Sequence, residues 1–169
     1  MLNIHRPSSL ALSLLVALAL TCTGCGVSPV KLTLNRGQTL EGKSVDLDIV
    51  GVNDSNIKTW SEYPISKYFE AGNEFRDDAR RAGVLKTVVF RANGSSSEVI
   101  EKTDPIWAKW KEIGAKQIVI IANLPGDIKD TAGEGPARKI LLWDNAWPSD
   151  GIKITVGKGA LSVDTARKE

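Results

Sequence analysis

The chain has 169 residues, with 22 Lys+Arg against 20 Asp+Glu, one His, one Met and two Cys. That length suits one domain with a real core, and the interspersed, nearly balanced charge offers no basic stripe for nucleic acid. The histidine is His5 and the cysteines are Cys22 and Cys25, all near the amino end. The rest of the chain therefore cannot build a Ser-His-Asp or Cys-His centre, a His/Cys zinc site or an internal disulfide.

Arg6 and the amino terminus precede the apolar stretch Leu10 to Leu20, and small residues then lead to Cys25. A charged start, a short apolar core and small residues are the parts of a secretory signal. The stretch is shorter than the about 20 residues a spanning helix needs. The run Leu20-Thr21-Cys22-Thr23-Gly24-Cys25 resembles the lipobox of bacterial lipoproteins. The resemblance implies cleavage of residues 1–24, a diacylated thiol on Cys25 and acylation of its new amine. Cys22 stands where that family more often has Leu, Val or Ile. Gly26 after the cysteine, rather than Asp, fits an outer-membrane destination facing the periplasm. An ordinary signal peptide, or a short anchor left uncut, is the plainer alternative.

Residues 25–30 read as a tether and 31–169 as a single domain. Val30, Leu32 and Leu34 alternate as a first strand, and Asn35-Arg36-Gly37 is a turn signal. Val45, Leu47 and Ile49 alternate in a second strand, where Gly51 predicts a bulge. Asn53 to Asn56 read as a loop, and Pro64 to Phe69 as a short helical turn. Asn73 caps a helix over Glu74 to Ala82, led by acids, closed by Arg80 and Arg81 and stopped by Gly83. Leu85 to Arg91 is a strand, and Glu98 to Thr103 is expected to pair with it as a hairpin across the Asn93-Gly94 turn. Asp104-Pro105 starts a helix with Ile106, Trp107, Trp110 and Ile113 on one face and Gly114 at its end. Gln117 to Leu124 is apolar enough for a central strand. Pro125 to Pro136 is a Gly-rich loop, and Lys139 to Trp143, Ile152 to Val156 and Ala160 to Val163 close the chain as strands. About seven strands and few helices favour a mainly β fold, an antiparallel β-sandwich with one or two short helical insertions.

Candidate chemistry is sparse. Of five tryptophans, Trp107 and Trp110, three apart on a helix, belong to a core. Trp60 and Trp147 fall in expected loops beside Pro64 and Pro148, which makes them contact candidates for a protein partner or a glycan. Asp127 and Asp130, with Glu134, sit among glycines in the 125–136 loop. Oxygen ligands there could hold calcium, but the spacing matches no calcium loop, so they stand as partner-contact candidates and no metal is assigned. No Gly-Lys-Ser/Thr follows the glycines to cradle phosphate. Asp77 and Asp78 are adjacent and diverge on a helix, and no lysine accompanies Ser95 to Ser97. No catalytic residue and no cofactor is assigned.

The leader through Cys25, the strand Ser44 to Asn53, the aromatic segment Tyr63 to Phe69 and the apolar strand Gln117 to Leu124 together resemble the outer-membrane lipoprotein of type VI secretion. That resemblance implies a transthyretin-like β-sandwich with a small helical element, held by its lipid, whose loops grip an inner-membrane subunit. The family's Asn-Pro-Asp-like loop is replaced by Asn53-Asp54-Ser55-Asn56, and no residue but Cys25 is carried over. The expectation is a non-catalytic, lipid-anchored envelope lipoprotein that docks a partner. A module binding glycan or peptidoglycan through exposed Trp is the alternative, and a carboxylate hydrolase comes third.

Overall fold

The computed structural model describes residues 28–126, 130 and 135–168. In chain order they form β1 (Leu32–Arg36), a 3-10 turn (Gln38–Leu40), β2 (Val45–Val52), α1 (Ile57–Glu62), α2 (Ile65–Tyr68), α3 (Glu74–Arg81), β3 (Leu85–Phe90), β4 (Ser97–Ile100), α4 (Ile106–Glu112), β5 (Gln117–Ala122), β6 (Arg138–Leu142), β7 (Ile152–Val156) and β8 (Leu161–Val163). The strands make a β-sandwich of two four-stranded sheets, ordered β4-β1-β7-β8 and β3-β2-β5-β6. Every pairing is antiparallel except β1 with β7, which run parallel from Leu32↔Ile152 to Arg36↔Val156.

Alternation decides what each sheet buries. Leu32 and Leu34 of β1, Ile152, Ile154 and Val156 of β7 and Ile100 of β4 are all at most 0% exposed and form one wall of the core. Leu47 and Ile49 of β2 and Ile118 and Ile120 of β5 line the facing wall, Ile49 directly opposite Ile120 and Leu47 opposite Ala122. The central strands β2 and β5 are buried on both faces. A third layer covers the outer face: the helical segment α1–α3, inserted between β2 and β3. The two faces of β2 therefore carry different neighbours, which is why Val50 and Val52 are as buried as Ile49.

Three expectations change. Gly51 does not mark a bulge, because the register runs through it without interruption, Gly51 opposite Ile118. Its missing side chain makes room instead: a Cβ there would lie 2.3 Å from Trp110 Cδ1. The segments 85–90 and 97–100 are not a hairpin. β3 pairs with β2 and β4 with β1, so the connection between them passes from one sheet to the other along an open side of the sandwich. Trp60 lies in α1 and not in a loop. Six residues are too few for a helical period to show, and the packing of Trp60 beneath the aromatic layer holds them in shape.

Asn73 does cap α3, its side chain accepting from Arg76 N at 2.8 Å. Asp104 Oδ1 likewise accepts Ile106 N at 3.0 Å at the start of α4. That helix inserts Trp107 and Trp110, edge-to-face at 4.9 Å, into one end of the core. Their indoles donate to Glu101 O at 2.9 Å and Val84 O at 2.8 Å, so neither N–H is stranded. Among the described residues no helix is long and apolar enough to cross a membrane.

Candidate docking surfaces

A row with three polar members, interrupted by one isoleucine, crosses the outer face of the β3-β2-β5-β6 sheet beneath the helical layer. Thr87, Asp48, Ile121 and Arg138 are register neighbours on four adjacent strands. Asp48 is 0% exposed, and both oxygens are saturated. Oδ1 accepts from Thr87 Oγ1 at 2.7 Å and Arg76 Nη2 at 3.2 Å. Oδ2 accepts from Arg76 Nε at 2.5 Å and the Tyr68 hydroxyl at 3.1 Å. Burial, and then the Asp48 charge, push the Tyr68 hydroxyl pKa well above its ordinary value, so it stays a donor. The hydrogen bond to Asp48 raises Arg76 further. A carboxylate with four donors and no solvent contact has no lone pair to offer a substrate. It fastens α2 and α3 to the sheet.

Arg138 does the same for α1. It is 0% exposed and donates to the carbonyls of Ser61 and Tyr63, where α1 ends. Its ion pair is with Asp130, Nη2 to Oδ2 at 3.1 Å. Burial raises the Asp130 pKa and lowers that of Arg138, each partly offset by the other's charge. A Cβ on Gly135 would overlap Asp130 Oδ1, so glycine is what lets the chain close over the pair. Among the described residues Asp130 Oδ1 and Arg138 Nε find no partner.

The sequence-predicted contact residues are therefore scattered. Asp130 faces inward, its side chain 8% exposed, in this ion pair. Trp60 is 7% exposed, tilted against Phe75 at 4.4 Å. It forms part of the wall of an open apolar cleft of about 280 Å³ with Phe75, Ala79 and Val84. Tyr63 stacks on the other side of Phe75 at 4.2 Å. Trp147 is half-buried beside the end of β6, its indole donating to Leu142 O at 2.8 Å and its ring under Arg167 at 5.5 Å. Cys25 and Asp127 lie outside the described residues. Sequence reasoning missed Asp48, Arg76 and Arg138. Asp46 and Asp48 both alternate with apolar residues in β2, as on a solvated face, so nothing local separated the buried acid from its partly exposed neighbour.

The sandwich has two poles. At one, Trp143 Nε1 donates to Ser28 O at 2.6 Å, joining the start of the described chain to the end of β6. Trp147, Pro148 and Lys102 are neighbours there. At the other, Arg36 gathers loops from both sheets. Its Nη1 donates to Arg91 O at 2.6 Å, and to Ala92 O and Lys43 O at 3.3 Å each. Asn93, Gly94, Ser95 and Ser96 form the turn beside it, and a cavity of about 270 Å³ opens between Arg36, Gln38, Glu41 and Ser96.

The sequence matches no protein-family model, and no curated protein matches it. Solved structures do share its shape. One, the T6SS protein TssM C-terminal domain (869–1107) from EAEC, aligns with a TM-score of 0.51 at 15% identity over 81% of this chain and 98% of that one. A type VI membrane complex aligns at 0.52 and 16% identity over 81% of this chain and 98% of that one. Serratia marcescens Lip, a membrane bound component of the Type VI Secretion System, aligns at 0.45 and 11% identity over 83% and 98%. At such identities the first two establish a common fold, one that extends over nearly the whole of the matched chains.

Proposed function

We propose that this protein is a lipid-anchored, non-catalytic component of an envelope secretion complex, held by Cys25 to the periplasmic face of an outer membrane and docking a protein partner. The observation that carries this reading is the likeness of the sandwich to nearly the full length of two chains, one from a T6SS protein's C-terminal domain and one from a type VI membrane complex. The leader ending in Cys25 supports it independently. The buried carboxylates add support: Asp48 is saturated and Asp130 is committed to an arginine, so both brace the fold. Docking falls to the pole remote from Ser28, where Arg36 holds the 37–44 and 91–96 loops. The glycan alternative keeps only Trp147, because Trp60, Trp107, Trp110 and Trp143 are at most 9% exposed.

Crosslinking in intact cells followed by purification of the lipidated protein tests the partner. Recovery of an inner-membrane secretion subunit is the expected result, while recovery of peptidoglycan fragments without a protein partner would overturn it. Cys25→Ser tests the anchor: the variant should leave the membrane fraction and persist as uncut precursor. Processing and membrane retention of that variant would remove the anchor from the account.

A further inference from the structure

We infer that the pole carrying Ser28 is a lipid-facing surface, seated on the phospholipid headgroups of the leaflet that holds Cys25; the inference rests on the anchoring reading above. Two residues, 26 and 27, separate Cys25 from Ser28. A chain advances at most ~3.6 Å per residue, so the Cα of Ser28 stays within about 11 Å of that of Cys25 whatever path the tether takes. Ser28 is fixed to the domain. Its carbonyl accepts from Trp143 Nε1 at 2.6 Å, and Val30, two residues on, is 8% exposed and part of the core. The headgroup zone is about 6 Å thick on each side of a bilayer. A domain tethered this closely rests that pole on the headgroups.

The side chains at the pole suit that position. Trp147, half-buried and bonded through its N–H, has the amphipathic ring that settles at a membrane interface. Beside it Leu142 is 48% exposed. Like the other large exposed hydrophobics among the described residues, Val89 of β3 and Val99 of β4, it lies on an edge strand, but it ends β6 next to Trp147. Lys31, Lys102, Arg167 and Lys168 share the pole with Glu101, Asp144 and Asp150. Lys31 pairs with Glu101 at 3.6 Å, Arg167 pairs with Asp144, and Lys102 donates to Ser149 O at 3.1 Å. Such mixed charge complements zwitterionic headgroups, whose phosphates take the bases and whose amines take the acids. A shallow cavity of about 140 Å³ between Ser28, Lys102, Trp147 and Pro148 gives a headgroup room. Seating this pole also fixes orientation: the Arg36 loops then point away from the membrane, toward the periplasm.

The test uses the full lipidated protein in vesicles of phosphatidylethanolamine and phosphatidylglycerol, with and without bromine near the headgroup end of the acyl chains. Flotation reads the anchor, and tryptophan emission reads the pole. The expected result is bromine quenching of the wild type that is largely lost in Trp147→Phe, with both proteins floating equally. The charge pair Lys102→Glu with Lys168→Glu, at exposed positions, should also float while losing quenching. Wild type that floats with the same emission in both vesicles, or quenching unchanged in both variants, overturns the lipid-facing surface while leaving the anchor intact. Wild type that fails to float overturns the anchor, and this surface with it.

Discussion

Asp48 is held by four hydrogen bonds at 0% exposure, and its partners come from three elements outside its own strand, α2, α3 and β3. Asp48→Ala would leave Arg76, Tyr68 and Thr87 facing an empty, dry site. Breaking such a pair on one side costs about 3–5 kcal/mol, and Arg76, 18% exposed, can recover part of that from water. The urea midpoint should fall by an amount corresponding to roughly 3 kcal/mol, an unchanged midpoint being the result that contradicts the bracing role. Asp104 gives a pH-dependent counterpart. Burial acts to raise its pKa, but the hydrogen bonds from Lys86, at 2.6 Å, and from Ile106 N outweigh burial and lower it. The folded state then binds this proton less readily than the unfolded chain. Its stabilisation is complete above the ordinary carboxylate range and is lost as pH falls through and below it. Urea unfolding at about pH 6 and about pH 3 should show Asp104→Asn less stable than the parent at the higher pH, with the gap closing at the lower. Asp130, raised by burial, acts in the opposite sense but is common to both proteins and cancels.

At the scale of elements, α4 and β2 meet through the absence of one side chain. Trp110 lies where a Cβ on residue 51 would be, at 2.3 Å from Cδ1 and 2.4 Å from Cγ. A rigid indole that is 0% exposed and bonded to Val84 O cannot step aside without breaking its own contacts. Gly51→Ala should therefore cost about 1–3 kcal/mol through overpacking, read as a lowered melting temperature with a changed Trp environment in near-UV circular dichroism. A variant as stable as the parent would mean that α4 can shift bodily. The helical insertion is held differently. Its short helices have little intrinsic stability, and Asp48, Arg138 and the stack around Phe75 supply what propensity does not.

For the whole molecule, burial of four tryptophans leaves Trp147 as the one open to solvent among the five. Acrylamide should quench a minor part of the emission, and Trp147→Phe should remove most of that part. Comparable quenching before and after the substitution would show that another indole reaches solvent and would return weight to a stacking platform. The two-pole arrangement belongs to this scale as well. Antiparallel pairing carries successive loops to alternate ends, so with Ser28 beside Trp143 at one end, the 37–44 and 91–96 loops fall at the other.

The sequence by itself determined the strands, the cap of α3 by Asn73, the start of α4 at Asp104 and the core placement of Trp107 and Trp110. Each rests on contacts within a few residues or on a period of two or 3.6, and such signals are local. Only the tertiary structure decided that 85–90 and 97–100 part into different sheets, that Gly51 receives an indole, and that Trp60 is covered. It also brought Asp48 to Arg76 and Arg138 to Ser61 and Tyr63, across 28 residues and across 77 and 75. A buried charge announces that it needs a partner, but which residue answers depends on how two sheets and a helical layer close on one another. The reason is physical: burial on both faces of β2 and β5 is a property of three packed layers, and no window of sequence contains them.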